Sequence, residues 1–210
     1  MPTYTFEAVN AGYELESGDI TSFQNCYDGI GSLGVTDATG GARRVGQYTA
    51  SASQYRARQV FLHWDTSSIP ESETLTSCTV TLSTITGSDR DATWSVELYA
   101  YDWSTIDTAD WRTTANLVAL GVVGSQTADG LFGTVVITID ESAIVTTGTT
   151  RLVLATSRQR LNEDPGVDDE YWEFNDLASQ EILTVKTVAF TQKFSHWPRE
   201  RRANRSYIGW

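Results

Sequence analysis

Side chains able to do acid–base or nucleophilic work are few in this chain. It has two histidines, His63 and His196, and two cysteines, Cys26 and Cys78. His63 has neither an acid nor a nucleophile beside it in sequence, so it reads as a satisfied strand histidine rather than a triad member or metal ligand. No Cys–His spacing suits zinc, and no glycine-rich strand–helix motif suits a nucleotide. Carboxylate neighbours such as Asp168 and Asp169 could serve glycoside hydrolysis. Among 27 acids, however, such neighbours arise by chance. The expectation is a non-enzymatic chain without a cofactor.

Three constellations could bind instead. The stretch from Asn162 to Glu170 packs five carboxylates into nine residues. Charges that dense must be solvated or bridged by a hard cation, and Asp164, Asp168, Asp169 and Glu170 are the Ca²⁺ candidates, although the alternating spacing of a calcium loop is missing. Tyr101, Trp103 and Trp172 offer flat apolar faces that suit a pyranose ring, with core packing the competing role, above all for Trp103 and Trp111. The third constellation is C-terminal. Residues 189–210 hold five bases (Lys193, Arg199, Arg201, Arg202 and Arg205) and one acid, whereas residues 1–188 hold ten bases and 26 acids. The same segment carries Trp197, Tyr207 and Trp210. Arg, Trp and Tyr together are the composition of interface anchors, so these eight side chains are the expected partner-binding set, with a strap folded back on the chain's own acidic body as the competing role.

The elements that must position these residues are strands. Hydrophobic residues make up 40% of the chain and charged residues 20%; abundant Thr among Val, Ile, Leu and aromatics favours a pleated surface. Strands are expected at Tyr4 to Val9, Arg43 to Tyr48, Tyr55 to Trp64, Leu75 to Ile85 and Trp94 to Trp103. Further strands are expected at Leu117 to Val123, Gly133 to Ile139, Arg151 to Ser157, Tyr171 to Phe174 and Ile182 to Val188. Asp107 caps one helical turn at Thr108 to Trp111, and Asp140 to Val145 is a second short helical candidate. Asp65 should accept from the Ser67-Ser68 turn, and Cys78 should share a buried face with Val80 and Leu82 as a free thiol. About ten strands and almost no helix give an all-β, jelly-roll β-sandwich with one or two short helical turns. Residues 1–188 form one such domain, and residues 189–210 a basic aromatic arm.

Bulk properties narrow the partners. A net charge of −12 opposes nucleic acid and anionic lipid. No apolar run approaches the roughly 20 residues that span a bilayer. Residues 1 to 7 have neither the basic stretch nor the apolar core of a secretory signal, so a chain made in the cytoplasm is expected.

One stretch carries a family resemblance. Phe61-Leu62-His63-Trp64-Asp65-Thr66-Ser67-Ser68-Ile69-Pro70, followed by Leu75-Thr76-Ser77-Cys78-Thr79-Val80-Thr81-Leu82, resembles the signature of DNRLRE-type, TGF-β-propeptide-like jelly-roll domains. Leu98 to Trp103 with Thr108 to Trp111, Gly148 to Leu154 and Leu183 to Val185 agree in order and spacing. His63 stands in place of the family's usual Arg, and Asp176 to Gln180 replaces its naming motif. The resemblance covers about residues 55 to 187 and implies a jelly roll of the kind found in virion proteins of tailed phages and in carbohydrate-binding modules. It implies a virion location, with other virion subunits or further copies of the chain as partners, and a host-surface glycan as the alternative ligand.

Overall fold

The computed structural model describes residues 1–9, 12–19, 21–36, 42–51, 54–88, 93–128, 133–165, 169–174 and 181–189. Twelve strands lie within them. They are β1 (Thr3–Glu7), β2 (Tyr13–Asp19), β3 (Ser32–Thr36), β4 (Arg43–Ser51), β5 (Gln54–Asp65), β6 (Glu73–Ser88), β7 (Ser95–Ala100), β8 (Gly124–Thr127), β9 (Gly133–Ile139), β10 (Thr149–Thr156), β11 (Asp169–Phe174) and β12 (Ile182–Ala189). Three short helices, α1 (Phe23–Tyr27), α2 (Thr114–Leu120) and α3 (Ser157–Leu161), and two 3₁₀ turns at Thr108–Asp110 and Glu141–Ala143 punctuate them.

The first sheet runs β1-β12-β6-β9 and the second runs β5-β10-β7-β8, all antiparallel. In chain order, β1, β5 to β10 and β12 pass between the sheets in the order of an eight-stranded jelly roll. The expected all-β sandwich is therefore the fold. Two additions enlarge it. β2 pairs the free edge of β5 and carries β3 beyond it. β4 takes the half of β5 that β10 leaves unpaired, and β11 joins β4 to the far end of β6.

Side-chain alternation builds the main core between the sheets. Val80 and Leu82 on β6, Leu183 and Val185 on β12, and Val135, Ile137 and Ile139 on β9 meet Val60, Leu62 and Trp64 on β5, with Val96, Leu98, Leu152 and Leu154 alongside. Cys78 joins that face as a free buried thiol, and burial pushes it up to about 11, so it stays protonated and behaves as a small hydrophobe. A second core lies on the opposite face of the second sheet. There Leu15, Ala57, Phe61, Tyr99, Val153 and Ala155 pack under Phe23, Cys26 and Tyr27 of α1 and under Trp103, Trp111 and Leu117. The second sheet is thus buried on both faces.

Local capping explains where helices replaced expected strands. Leu117 to Val123 is not a strand. Residues 114–120 form α2, because Thr113 and Asn116 make a reciprocal capping box and Gly121 ends the helix at φ 75°. Leu117 is buried while Val118 is 61% exposed, the one-sided burial of a surface helix rather than of a strand in a sheet. The strand expected to reach Ser157 stops at Thr156, which caps α3 in a second box with Gln159. The two turn assignments agree with the structure. Asp107 accepts from the Ala109 amide at 2.7 Å, and Asp65 accepts from the Ser67 amide at 3.1 Å and its hydroxyl at 2.6 Å.

Candidate functional site

At the end of β7 the chain leaves the sheet as Tyr101-Asp102-Trp103, beside the start of β10. The ladder continues one step further, where the Tyr101 amide donates to the Arg151 carbonyl at 3.4 Å. Arg151 is half-buried on the second-core face of β10 and lies opposite His63 of β5. The 3₁₀ turn at Glu141–Ala143 and the residues that follow it form the facing wall. Between them opens a cavity of about 380 Å³ lined by Tyr101, Asp102, Thr149 and Arg151 on one side and by Ser142 and Val145 on the other. That volume is within the range of small-ligand sites.

Arg151, Asp102 and Tyr101 are each held by a neighbour. Arg151 donates to the Asp102 carboxylate at 2.9 Å, and its guanidinium lies 5.9 Å from the centre of the Trp103 ring. Asp102 is 89% exposed and so keeps acceptor capacity. The Tyr101 hydroxyl donates to Asp110 at 2.7 Å, while the Arg112 guanidinium covers its ring at 4.0 Å. Burial and the Asp110 carboxylate raise the Tyr101 phenol above its ordinary range, so it is a hydrogen-bond donor at neutral pH. Beneath this layer Trp103 stacks edge-on against Phe61 at 5.4 Å and His63 at 6.4 Å.

His63 departs from expectation. It sits in a strand as anticipated, but its Nδ1 is buried without a hydrogen-bond partner. Burial, reinforced by Arg151, pushes its imidazole below the ordinary value, so the neutral ring is the folded form.

Of the three aromatic candidates, Tyr101 alone lines the cavity. Trp103 is 6% exposed and packed on both sides. Trp172 is fully buried in the main core, 6.3 Å from Trp94, so the sugar-platform role does not fit its position. The calcium candidates do not converge either. Neighbours on β11 point to opposite faces. Glu170 turns inward to accept from Gln47 at 2.7 Å and from Arg158 at 3.1 Å. Asp169 accepts from the Thr49 amide at 3.2 Å. Asp164 is exposed, and Asp168 lies outside the described residues. Among the described residues, no three His, Cys, Asp or Glu side chains gather to hold a metal. Lys193, Trp197, Arg199, Arg201, Arg202, Arg205, Tyr207 and Trp210 all lie outside the described residues.

Sequence reasoning missed Asp102, Arg151 and Arg112, the charged members of the cavity corner. The available signal was Arg151, a lone charge leading the apolar run Leu152-Val153-Leu154-Ala155. It also missed where the body's arginines go. Arg44 pairs with Glu173 at 2.5 Å, Arg58 with Glu14 at 3.0 Å and Glu16 at 2.5 Å, Arg56 with Glu16, Arg158 with Glu163 and Glu170, and Arg160 with Glu97 at 2.7 Å. Glu7, Asp28, Glu71, Asp107, Asp140 and Glu141 remain as exposed carboxylates. Compared with known proteins, the chain matches no family model and no curated sequence.

Proposed function

We propose that this chain is a non-enzymatic structural protein of a tailed-phage virion, a jelly-roll body that docks on a neighbouring subunit through residues 189–210. The observation that carries the reading is the division of charge. Six arginines of the body, Arg44, Arg56, Arg58, Arg151, Arg158 and Arg160, are engaged by its own carboxylates. The outer surface is left acidic, while five bases and five aromatics are concentrated in the last 22 residues. Arg offers bidentate donors to carboxylates, and Trp offers large area to desolvate, so a few such side chains can dominate binding. The resemblance of residues 55 to 187 to jelly rolls of phage virions supports the same reading. The test uses particles assembled without this chain. Added full-length chain should sediment with them, and less so as salt rises. The triple variant Arg199→Glu, Arg201→Glu, Arg202→Glu should stay in the supernatant. Equal recovery of the variant would overturn the reading.

A second reading, recognition of a cell-surface glycan, is favoured by the cavity at Tyr101. An aromatic edge, an exposed carboxylate and a guanidinium meet there, and the last two offer an acceptor and donors to a vicinal diol. On a glycan array, binding that disappears in Arg151→Ala and Tyr101→Ala would support it. Binding unchanged in both would remove the cavity from the account.

A further inference from the structure

The outer face of the first sheet differs chemically from the rest of the surface. Cross-strand register sets Thr5 opposite Thr184, Thr184 opposite Thr79, and Thr79 opposite Thr138. One row of four threonines therefore crosses all four strands, about 4.8 Å apart. On one side of this row lie Glu7, Ile182, Thr81 and Val136; on the other lie Thr3, Lys186 and Ser77. Thr5, Thr138 and Val136 are exposed, and Thr79, Thr184 and Thr81 are half-exposed. The paired residues of these three rows carry one acid and one base and sum to zero in a chain of net charge −12, with exposed Asp140 just past the end of β9 at their rim.

We infer that this face is a homodimer interface, in which the row Thr5–Thr184–Thr79–Thr138 meets the same row of a second copy. Charge selects the occupant. Acidic bodies repel one another over most orientations, and a neutral face is where two copies approach with least opposition. The two charges present favour the same arrangement. A two-fold axis lying along the threonine row carries Glu7 of one copy over Thr3 of its mate. Thr3 pairs with Lys186, so each Glu7 comes beside the mate's Lys186, and the contact occurs twice. Threonine methyls pack between the sheets as in an aligned sandwich, and the hydroxyls keep hydrogen bonds to one another or to trapped water.

Four strands of this length present on the order of 500 Å² per copy, at the small end of specific interfaces, so the dimer is weak and concentration-dependent. The inference stands apart from the docking arm.

Sedimentation equilibrium of the full chain over a range of concentrations tests it. Wild type should show a monomer–dimer equilibrium, and Thr79→Arg, which sets a bulky charge in the centre of the row, should remain monomeric with an unchanged circular dichroism spectrum. Glu7→Lys and Lys186→Glu should each weaken association roughly tenfold, since two exposed pairs turn repulsive, and the double exchange should restore it. A monomer at every concentration up to about 1 mM would overturn the inference. So would a dimer indifferent to Thr79→Arg. Failure of the full-length chain to sediment with the particles, with the dimer intact, would count against the arm alone.

Discussion

The two sheets of this sandwich treat their outer faces in opposite ways. The second sheet is sealed on its outer side by α1, the 3₁₀ turn at Thr108–Asp110 and α2, which bury Phe61, Tyr99 and Val153 completely. The first sheet leaves its outer side to threonine and to the 55%-exposed Val136. Sequence texture follows the difference. β9 alternates buried and exposed residues along its length, whereas β10 is buried from Leu152 to Thr156 without a break. A strand with one wet face must alternate, and a strand covered twice need not. Continuous apolar runs here mark a covered sheet, and alternation marks a working surface.

The largest expected effect breaks the sealed side. Phe61→Ala should cost about 3–5 kcal/mol, because it opens a cavity beneath Trp103 and α1. Val136→Ser, on the open face, should stay within about 0.5 kcal/mol. Urea denaturation of both variants measures the contrast, and equal losses would mean the two faces are packed alike. Next in size is the helical cover. Thr113→Ala removes the side chain that accepts from the Asn116 amide, and should cost about 1 kcal/mol in the same assay. Asp102→Asn should change stability by less than about 1 kcal/mol, since the carboxylate paired with Arg151 is largely solvated.

The smallest effect is a pH dependence. Folding depresses the His63 imidazole, so between its folded value and the ordinary value near 6.5 the unfolded chain binds more protons. Stability conferred by the neutral ring is therefore present above that range and lost as pH falls through it. His63→Gln should flatten the slope of urea stability between about pH 7.5 and 5.5. An identical slope in the variant would place the titration elsewhere.

Much of the sandwich was legible because β6, β9 and β12 obey alternation, and because Asp107 and Asp65 are placed where a turn needs an acceptor. The covering layer was harder to read. Leu117-Val118-Ala119-Leu120 is an apolar run too short for its period to separate strand from helix, and its caps decided the outcome. β2 was missed for an electrostatic reason. Glu14 and Glu16 alternate like solvent-facing residues, yet Glu14 is 4% exposed and held by Arg58. Burial raises the Glu14 carboxyl above its ordinary range despite that partner. The cavity was legible only through Tyr101, because Asp102 and Arg151 are 49 residues apart in sequence and meet only when β7 and β10 pair. Trp172 was misplaced because an aromatic side chain does not by itself declare which face of its strand is inward.

Thiol labelling tests the contrast between the faces most directly. Cys26 lies fully buried under the helical cover, pushed up to about 12, and Cys78 lies in the main core. In the native full chain at mild pH, both should react with a thiol reagent only at the rate of unfolding. Thr79→Cys, studied at dilution where the monomer prevails, should add one thiol that reacts at the rate of a free cysteine. Rapid reaction of Cys26 in the wild type would show the second sheet uncovered, and protection of the introduced thiol would show the first sheet covered; either result would contradict the account.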